Sequence, residues 1–171
     1  MKGGKYAVTS DDIKLKIEKA LNILGERDGD LLEIKINERT LCHRLAIYLE
    51  EIFIGYNVDC EYNRVGSHDP KRLIYGKVGK IFKKSGVKGQ GIADIDARTV
   101  YPDIIVHKRR EEENLLVIEV KKDTNKTDKS VDIDILKKYK QELKYEYAVF
   151  LLIKVKEPPN KDEKFYDLEF I

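Results

Sequence analysis

The nearly continuous apolar run from Tyr147 to Val155 constrains the fold of this chain more than any other feature of the sequence. An apolar run without alternation is typical of a strand buried on both faces of a sheet, and this one is far too short to span a bilayer as a helix. Directly before it, apolar residues at helical spacing predict a helix from about Asp132 to Leu143, whose start, Asp132-Ile133-Asp134, is interpreted as N-capping. A strand buried on both faces needs a covering layer on each side, so the sequence predicts an α/β fold with a central mixed sheet flanked by helices.

Two further helices are predicted in the N-terminal part of the chain. The first runs from about Asp11 to Leu24 and is expected to end at Gly25 and the cluster Asp28-Gly29-Asp30. The second runs from Glu38 to Ile54, with Asn37 as its N-cap. Both carry apolar stripes that are expected to pack against the sheet.

Strands are predicted over Tyr56 to Val65, Val100 to Lys108 and Leu115 to Lys122, and the charged turn from Arg109 to Asn114 joins the last two. The segment from Phe165 to Ile171 is predicted either to add an edge strand or to pack as a tail. The predicted order is therefore helix, helix, strand, basic loop, strand, strand, helix, strand.

The length of 171 residues is that of one ordinary domain, and 42% hydrophobic residues are enough for a core of its own. Two cysteines, Cys42 and Cys60, are too few for a disulfide framework. The first residues lack the apolar stretch of a secretory signal. We therefore expect one soluble, cytoplasmic domain over residues 1–171, with no membrane segment.

The positive charge of the chain is concentrated in one glycine-rich segment from Arg64 to Gly91. This segment carries a net charge of +7, whereas the whole chain carries +2. A basic, glycine-rich loop suits contact with a phosphate backbone, although a solubilising surface loop is the alternative. The candidate nucleic-acid-binding residues in it are Arg64, Lys71, Arg72, Lys77, Lys80, Lys83, Lys84 and Lys88.

Acidic residues interrupt the two apolar strands that the charged turn joins. Asp103 precedes a run of three β-branched residues, and Glu119 and Lys121 follow four consecutive apolar residues. The alternation of a strand places Glu119 and Lys121 on one face, and hairpin pairing brings Asp103 to the same end. Two carboxylates and an ammonium are therefore expected to converge there. The alternative is a structural Glu119–Lys121 salt bridge beside an exposed Asp103.

Hydrolysis of a phosphodiester needs this combination of groups. Carboxylate oxygens are ligands for Mg²⁺, which keeps several waters and contacts substrate phosphate directly. A neighbouring lysine orients or activates the attacking water, or holds the phosphate as a point charge. The residues thus predict a site dependent on Mg²⁺, with Mn²⁺ as a substitute.

The sequence Pro102-Asp103, followed after fifteen residues by Glu119-Val120-Lys121, resembles the signature of the PD-(D/E)XK nuclease superfamily. Restriction endonucleases and archaeal Holliday-junction resolvases belong to this superfamily. The resemblance covers residues 37–155 and implies a restriction-endonuclease-like α-β-β-β-α-β core with an extra N-terminal helix. It also implies that Asp103 and Glu119 bind metal and that Lys121 is catalytic.

Members of the superfamily often supply a further acid from the helix before the first strand, and Glu38 is the candidate for a third catalytic and metal-binding carboxylate. Acidic residues also favour helix N-termini through the helix dipole alone, so a purely structural Glu38 is the alternative. Glu61 is a second candidate for completing the acidic cluster. Lys137, on the helix after the signature, is a candidate for contacting nucleic acid.

The leading functional prediction is a Mg²⁺-dependent nuclease that acts on DNA rather than RNA and that forms a homodimer if it cuts both strands. One alternative is a nucleic-acid-binding module that keeps the fold without cleaving, and another is an interaction domain of a repair or defence assembly. The intact set of Asp103, Glu119 and Lys121 favours the enzyme, because two carboxylates repel phosphate unless a metal intervenes.

Overall fold

The computed structural model describes residues 8–62, 73–75, 98–155 and 163–171, of which 73–75 and 98–100 are described by their backbone alone. In chain order the elements are α1 (Ser10–Glu33), α2 (Glu38–Ile52), β1 (Asn57–Cys60), β2 (Leu73–Tyr75), β3 (Arg98–Val100), β4 (Ile104–His107), β5 (Asn114–Lys122), α3 (Lys129–Leu143), β6 (Tyr147–Ile153) and β7 (Tyr166–Phe170).

Five of the strands form one mixed sheet in the order β1-β4-β5-β6-β7. β5 and β6 are parallel, and the other neighbours are antiparallel. The apolar run is confirmed as the interior strand β6, and the C-terminal segment is confirmed as an edge strand, β7. The remaining strands, β2 and β3, pair antiparallel as a separate ribbon.

The interior strands contribute alternate side chains to two hydrophobic cores, one on each face of the sheet. Ile118 and Val149 pack with the apolar faces of α1 and α2, whereas Val117 and Phe150 pack with Leu136 and other residues of α3. The predicted α/β arrangement, a mixed sheet flanked by helices, is thereby confirmed. No helix in the described part of the chain is long and apolar enough to cross a membrane.

The first helix is longer than predicted, because α1 continues to Glu33, but its regular geometry is interrupted at Asp28, within the cluster that was predicted to end it. Gly25 lies inside the helix, where a Cβ atom would be 2.9 Å from Cε1 of Phe165, so this glycine admits the ring rather than ending the helix. The helix is kinked at Asp28, which has non-helical backbone angles and whose carboxylate accepts a hydrogen bond of 2.9 Å from Nε of Arg44. The kink allows the last turn to continue and to bury Leu32.

The strand predicted over Val100 to Lys108 is also wrong in its extent, because the chain forms β3 and β4 with a break between them. Pro102 lies in the break, and proline has no backbone N–H to donate to a sheet. The strand predicted over Tyr56 to Val65 is shorter than expected: β1 ends at Cys60, and Glu61 has a φ of 52°, outside the extended range. Residues 63–65 lie outside the described residues.

A partly buried polar cluster joins β1 to β4. Asp59 of β1 accepts hydrogen bonds of 2.9 Å from both Nε2 of His107 and Nε of Arg109. Burial acts to raise the pKa of Asp59, but these hydrogen bonds outweigh burial and lower that pKa to about 2. The ionised carboxylate therefore stabilises the folded state.

We predict that Asp59→Asn lowers the free energy of unfolding by about 2 kcal/mol at pH 7, from the difference between a folded pKa of about 2 and the unfolded value. Because the folded pKa is depressed, this stabilisation is present above pH 4 and is lost as the pH falls towards 2. Urea denaturation over this range measures the difference. Asp134→Asn, at a half-exposed position of α3, is the control and should change stability little.

Candidate active site

The two carboxyl groups of the predicted signature lie together where β4 begins. Asp103 directly precedes β4, and its Oδ2 accepts a hydrogen bond of 2.7 Å from the backbone N–H of Val120 in β5. The carboxylate of Asp103 thereby accepts from β5 beyond the start of β4, while the carbonyl oxygen of Pro102 accepts a hydrogen bond from the N–H of Glu61. Glu119 is buried, and its carboxyl group is close enough to that of Asp103 for each to shift the pKa of the other. The predicted convergence of Asp103 and Glu119 is present in the structure.

Burial and mutual repulsion make this pair of acids hard to ionise. Burial raises the pKa of Glu119 well above its usual value, and the negative charges of Asp103 and Asp132 raise it further. Burial likewise raises the pKa of Asp103 to about 6, against the opposing hydrogen bond from Val120. The pair therefore favours a bound proton or another cation.

The hydrogen bonding of Glu119 bears on whether this pair is suited to a metal ion. Its Oε1 is buried without a hydrogen-bond partner among the described residues, an unusual state for a buried carboxyl oxygen. Within the described ranges, no three His, Cys, Asp or Glu side chains are arranged to hold a metal between them. Magnesium is commonly bound by one or two carboxylates together with waters and substrate phosphate, so two ligands are compatible with it.

Both candidates for the third acid border one cavity beside Asp103. Oε2 of Glu38 accepts a hydrogen bond of 3.0 Å from the backbone N–H of Lys122, at the end of β5. Glu61 instead pairs with Arg39, at 2.8 Å between Oε1 and Nε. The cavity has a volume of about 430 Å³ and is lined by Asn37, Glu38, Arg39, Cys42, Cys60, Glu61 and Asp103.

Lys121 pairs with a residue that the sequence analysis did not place in the site. Lys121 is 7% exposed, and its ammonium forms an ion pair with Asp132 in the first turn of α3. The interpretation of Asp132 as an N-cap is wrong, because Asp128 caps this helix. The structural alternative is also wrong in its partners, since Lys121 pairs with Asp132 and Glu119 with Asp103. The sequence feature that could have identified Asp132 as a partner of Lys121 is its position, since it is an acidic residue in the first turn of the helix that follows Lys121.

The predicted nucleic-acid-binding residues are only partly described. Lys137 lies on α3, half-exposed, with its Nζ 3.7 Å from Oδ1 of Asp134. The other candidates, Arg64, Lys71, Arg72, Lys77, Lys80, Lys83, Lys84 and Lys88, lie outside the described residues. Contact between this segment and nucleic acid therefore stays a prediction.

Comparison of the chain with models of protein families, with curated proteins and with solved structures found no match. Membership of the PD-(D/E)XK superfamily stays a prediction that depends on the residues of the signature.

Proposed function

We propose that this protein is a metal-dependent nuclease that hydrolyses phosphodiester bonds, with DNA as its substrate. The observation that carries the proposal is the pair formed by the partly buried Asp103 and the buried Glu119, with an unpartnered oxygen on Glu119 and the ammonium of Lys121 two residues further along β5. Two adjacent acids at a site of this kind destabilise a fold unless a proton or a cation neutralises them, and a divalent metal is the neutralising cation in this proposal.

The order of the elements supports the same proposal. The succession α2, β1, β4, β5, α3 and β6 follows the α-β-β-β-α-β order that the resemblance implies, with α1 as the extra N-terminal helix. In this arrangement the signature residues come from neighbouring strands of one sheet. The ribbon of β2 and β3 is an insertion between β1 and β4.

The residues of the chain divide the proposed reaction between them. Asp103 and Glu119 would hold the metal, which would supply activation of the attacking water and offset the charge that develops on the phosphate. The N–H of Val120 orients Asp103, and the N–H of Lys122 orients Glu38 towards the end of the same strand. Lys121 orients the water or the scissile phosphate, and Asp132 holds its ammonium in place.

A cleavage assay tests the proposed function. The purified protein is incubated with supercoiled plasmid, with branched DNA and with RNA of matching sequence, in Mg²⁺, Mn²⁺ or EDTA. We expect cleavage of DNA in Mg²⁺ and Mn²⁺ and none in EDTA. Cleavage of RNA alone would contradict the choice of DNA, and an intact substrate under every condition would contradict the nuclease.

A second prediction concerns the basic segment from Arg64 to Gly91. Replacement of Lys80, Lys83, Lys84 and Lys88 by glutamine should weaken DNA binding and flatten its salt dependence, because each phosphate contact on duplex DNA contributes about −0.9 to the log–log slope. Fluorescence anisotropy over a salt series, with Ca²⁺ in place of Mg²⁺, measures both quantities. A variant with glutamine at Lys14 and Lys19, two exposed lysines of α1, controls for lost charge elsewhere. An unchanged slope in the fourfold variant would place the binding surface outside the segment.

A further inference from the structure

An exposed ion pair lines the same cavity as Glu38 and Asp103. Nε of Arg39 is 2.8 Å from Oε1 of Glu61, and the two side chains are 83% and 48% exposed. Arg39 follows Glu38 in α2, whereas Glu61 follows the end of β1. The ion pair therefore joins two elements that border the same cavity, on its solvent side.

The position of Glu61 is held against a backbone preference. Its φ of 52° lies in the left-handed region, which residues other than glycine seldom adopt. Its N–H donates a hydrogen bond of 3.0 Å to the carbonyl oxygen of Pro102, the residue before Asp103. Strained backbone of this kind persists where the surrounding structure enforces it, and such positions concentrate at functional sites. Glu61 is thus tied to the chain segment that carries Asp103.

Arg39 is the one basic side chain among the described residues that line this cavity. The planar guanidinium matches the geometry of a phosphate group and binds it through two hydrogen bonds. An exposed ion pair contributes little to stability, so Arg39 loses little when it exchanges one anionic partner for another. A phosphate that enters the cavity can therefore replace the Glu61 carboxylate as the partner of the Arg39 guanidinium at little cost in stability.

We propose that Arg39 binds a phosphate of the nucleic-acid substrate and that Glu61 competes with this phosphate for the guanidinium. This inference rests on the proposed function, because it assigns a substrate contact to the same site. In the free protein, Glu61 neutralises Arg39. In the complex, a phosphate oxygen takes the place of the Glu61 carboxylate, so Glu61 lowers the affinity for DNA while Arg39 raises it.

Opposite effects of the two residues distinguish this proposal from a merely structural ion pair, which would lose the same contact in either variant. DNA binding is measured by fluorescence anisotropy, with Ca²⁺ in place of Mg²⁺, for the wild type, Arg39→Gln, Glu61→Gln and the double variant. We expect Arg39→Gln to weaken binding about tenfold or more and to reduce the salt slope by about 0.9. Glu61→Gln should tighten binding by about two- to fivefold.

The double variant should bind DNA with the affinity of Arg39→Gln, because without the guanidinium there is no group for which Glu61 and the phosphate compete. The ion pair of Lys164 and Glu18, which does not line this cavity, serves as the control, since its neutralisation by glutamine should leave binding unchanged. Weaker or unchanged binding by Glu61→Gln, in a protein that binds and cleaves DNA, would overturn this inference and leave the proposed function standing. A wild type that neither binds nor cleaves DNA would overturn both.

Discussion

Glu119→Gln is expected to abolish metal-dependent cleavage of DNA and to leave the fold intact, and Asp103→Asn should do the same. Each variant keeps the shape of the side chain but removes an anionic ligand from the pair of Asp103 and Glu119. We expect the cleavage rate to fall by about 10³-fold or more, because a catalytic metal supplies several kcal/mol of transition-state stabilisation. Single-turnover cleavage of labelled DNA measures the rate. Glu112→Gln, an exposed position in the turn between β4 and β5, is the matched control and should cut at the wild-type rate.

Glu119→Gln should also change how the free energy of unfolding depends on pH. In the absence of metal, the folded pKa of Glu119 is raised well above its unfolded value. The folded state then binds this proton more tightly, so the stability of the wild type declines as the pH rises above about 4.5. Glutamine has no proton to lose, so the stability of Glu119→Gln relative to the wild type should increase with pH. Urea denaturation in EDTA between pH 5 and 9 tests this, and a difference that does not vary with pH would contradict the assigned burial of the carboxyl group.

Lys121→Met should also lose most of the activity but retain the affinity for Mg²⁺. General acid–base assistance by a positioned side chain contributes about 10²- to 10⁴-fold to a rate, and an ammonium does not ligate metal. Rates come from the same single-turnover assay, and Mg²⁺ affinity from calorimetry. Folded Lys121→Met with the wild-type rate would remove Lys121 from the mechanism, and loss of Mg²⁺ affinity would contradict its separation from the metal ligands.

Removal of Lys121 leaves Asp132 without its cation in a largely buried position. An uncompensated charge of this kind destabilises a protein strongly. The double variant Lys121→Met/Asp132→Asn restores neutrality and therefore separates lost catalysis from lost folding. Lys14→Ala, at an exposed position of α1, is the control for a lost lysine.

Local patterns were sufficient to predict the layers and the order of the fold. The apolar run that forms β6 predicted a layer of helices on each face of the sheet. α1 and α2 form the layer on one face, and α3 forms the layer on the other. The errors had both local and distant causes. The break before β4 follows from Pro102 itself, whereas the ring of Phe165, distant in sequence, packs against Gly25 inside α1, and no local rule for glycine contains that information.

The candidate site was likewise predicted only in part. The alternation along β5 and the hairpin to β4 brought Asp103 and Glu119 together, as the sequence predicted. The partner of Lys121 could not be derived in this way, because it depends on how α3 packs across the sheet. The ion pair between Arg39 and Glu61 likewise depends on the turn after β1, where Glu61 adopts a positive φ.

The central claim is that the pair of Asp103 and Glu119 binds a divalent cation, and titration of Mg²⁺ into the metal-free protein by calorimetry tests it most directly. Metal ligands must be deprotonated, so binding should release protons and the measured heat should depend on the ionisation enthalpy of the buffer. We expect saturable, proton-releasing binding to the wild type and to Glu112→Gln, and none to Glu119→Gln or Asp103→Asn. Equal Mg²⁺ affinity in the wild type and Glu119→Gln, or a wild type that binds no Mg²⁺, would contradict the account.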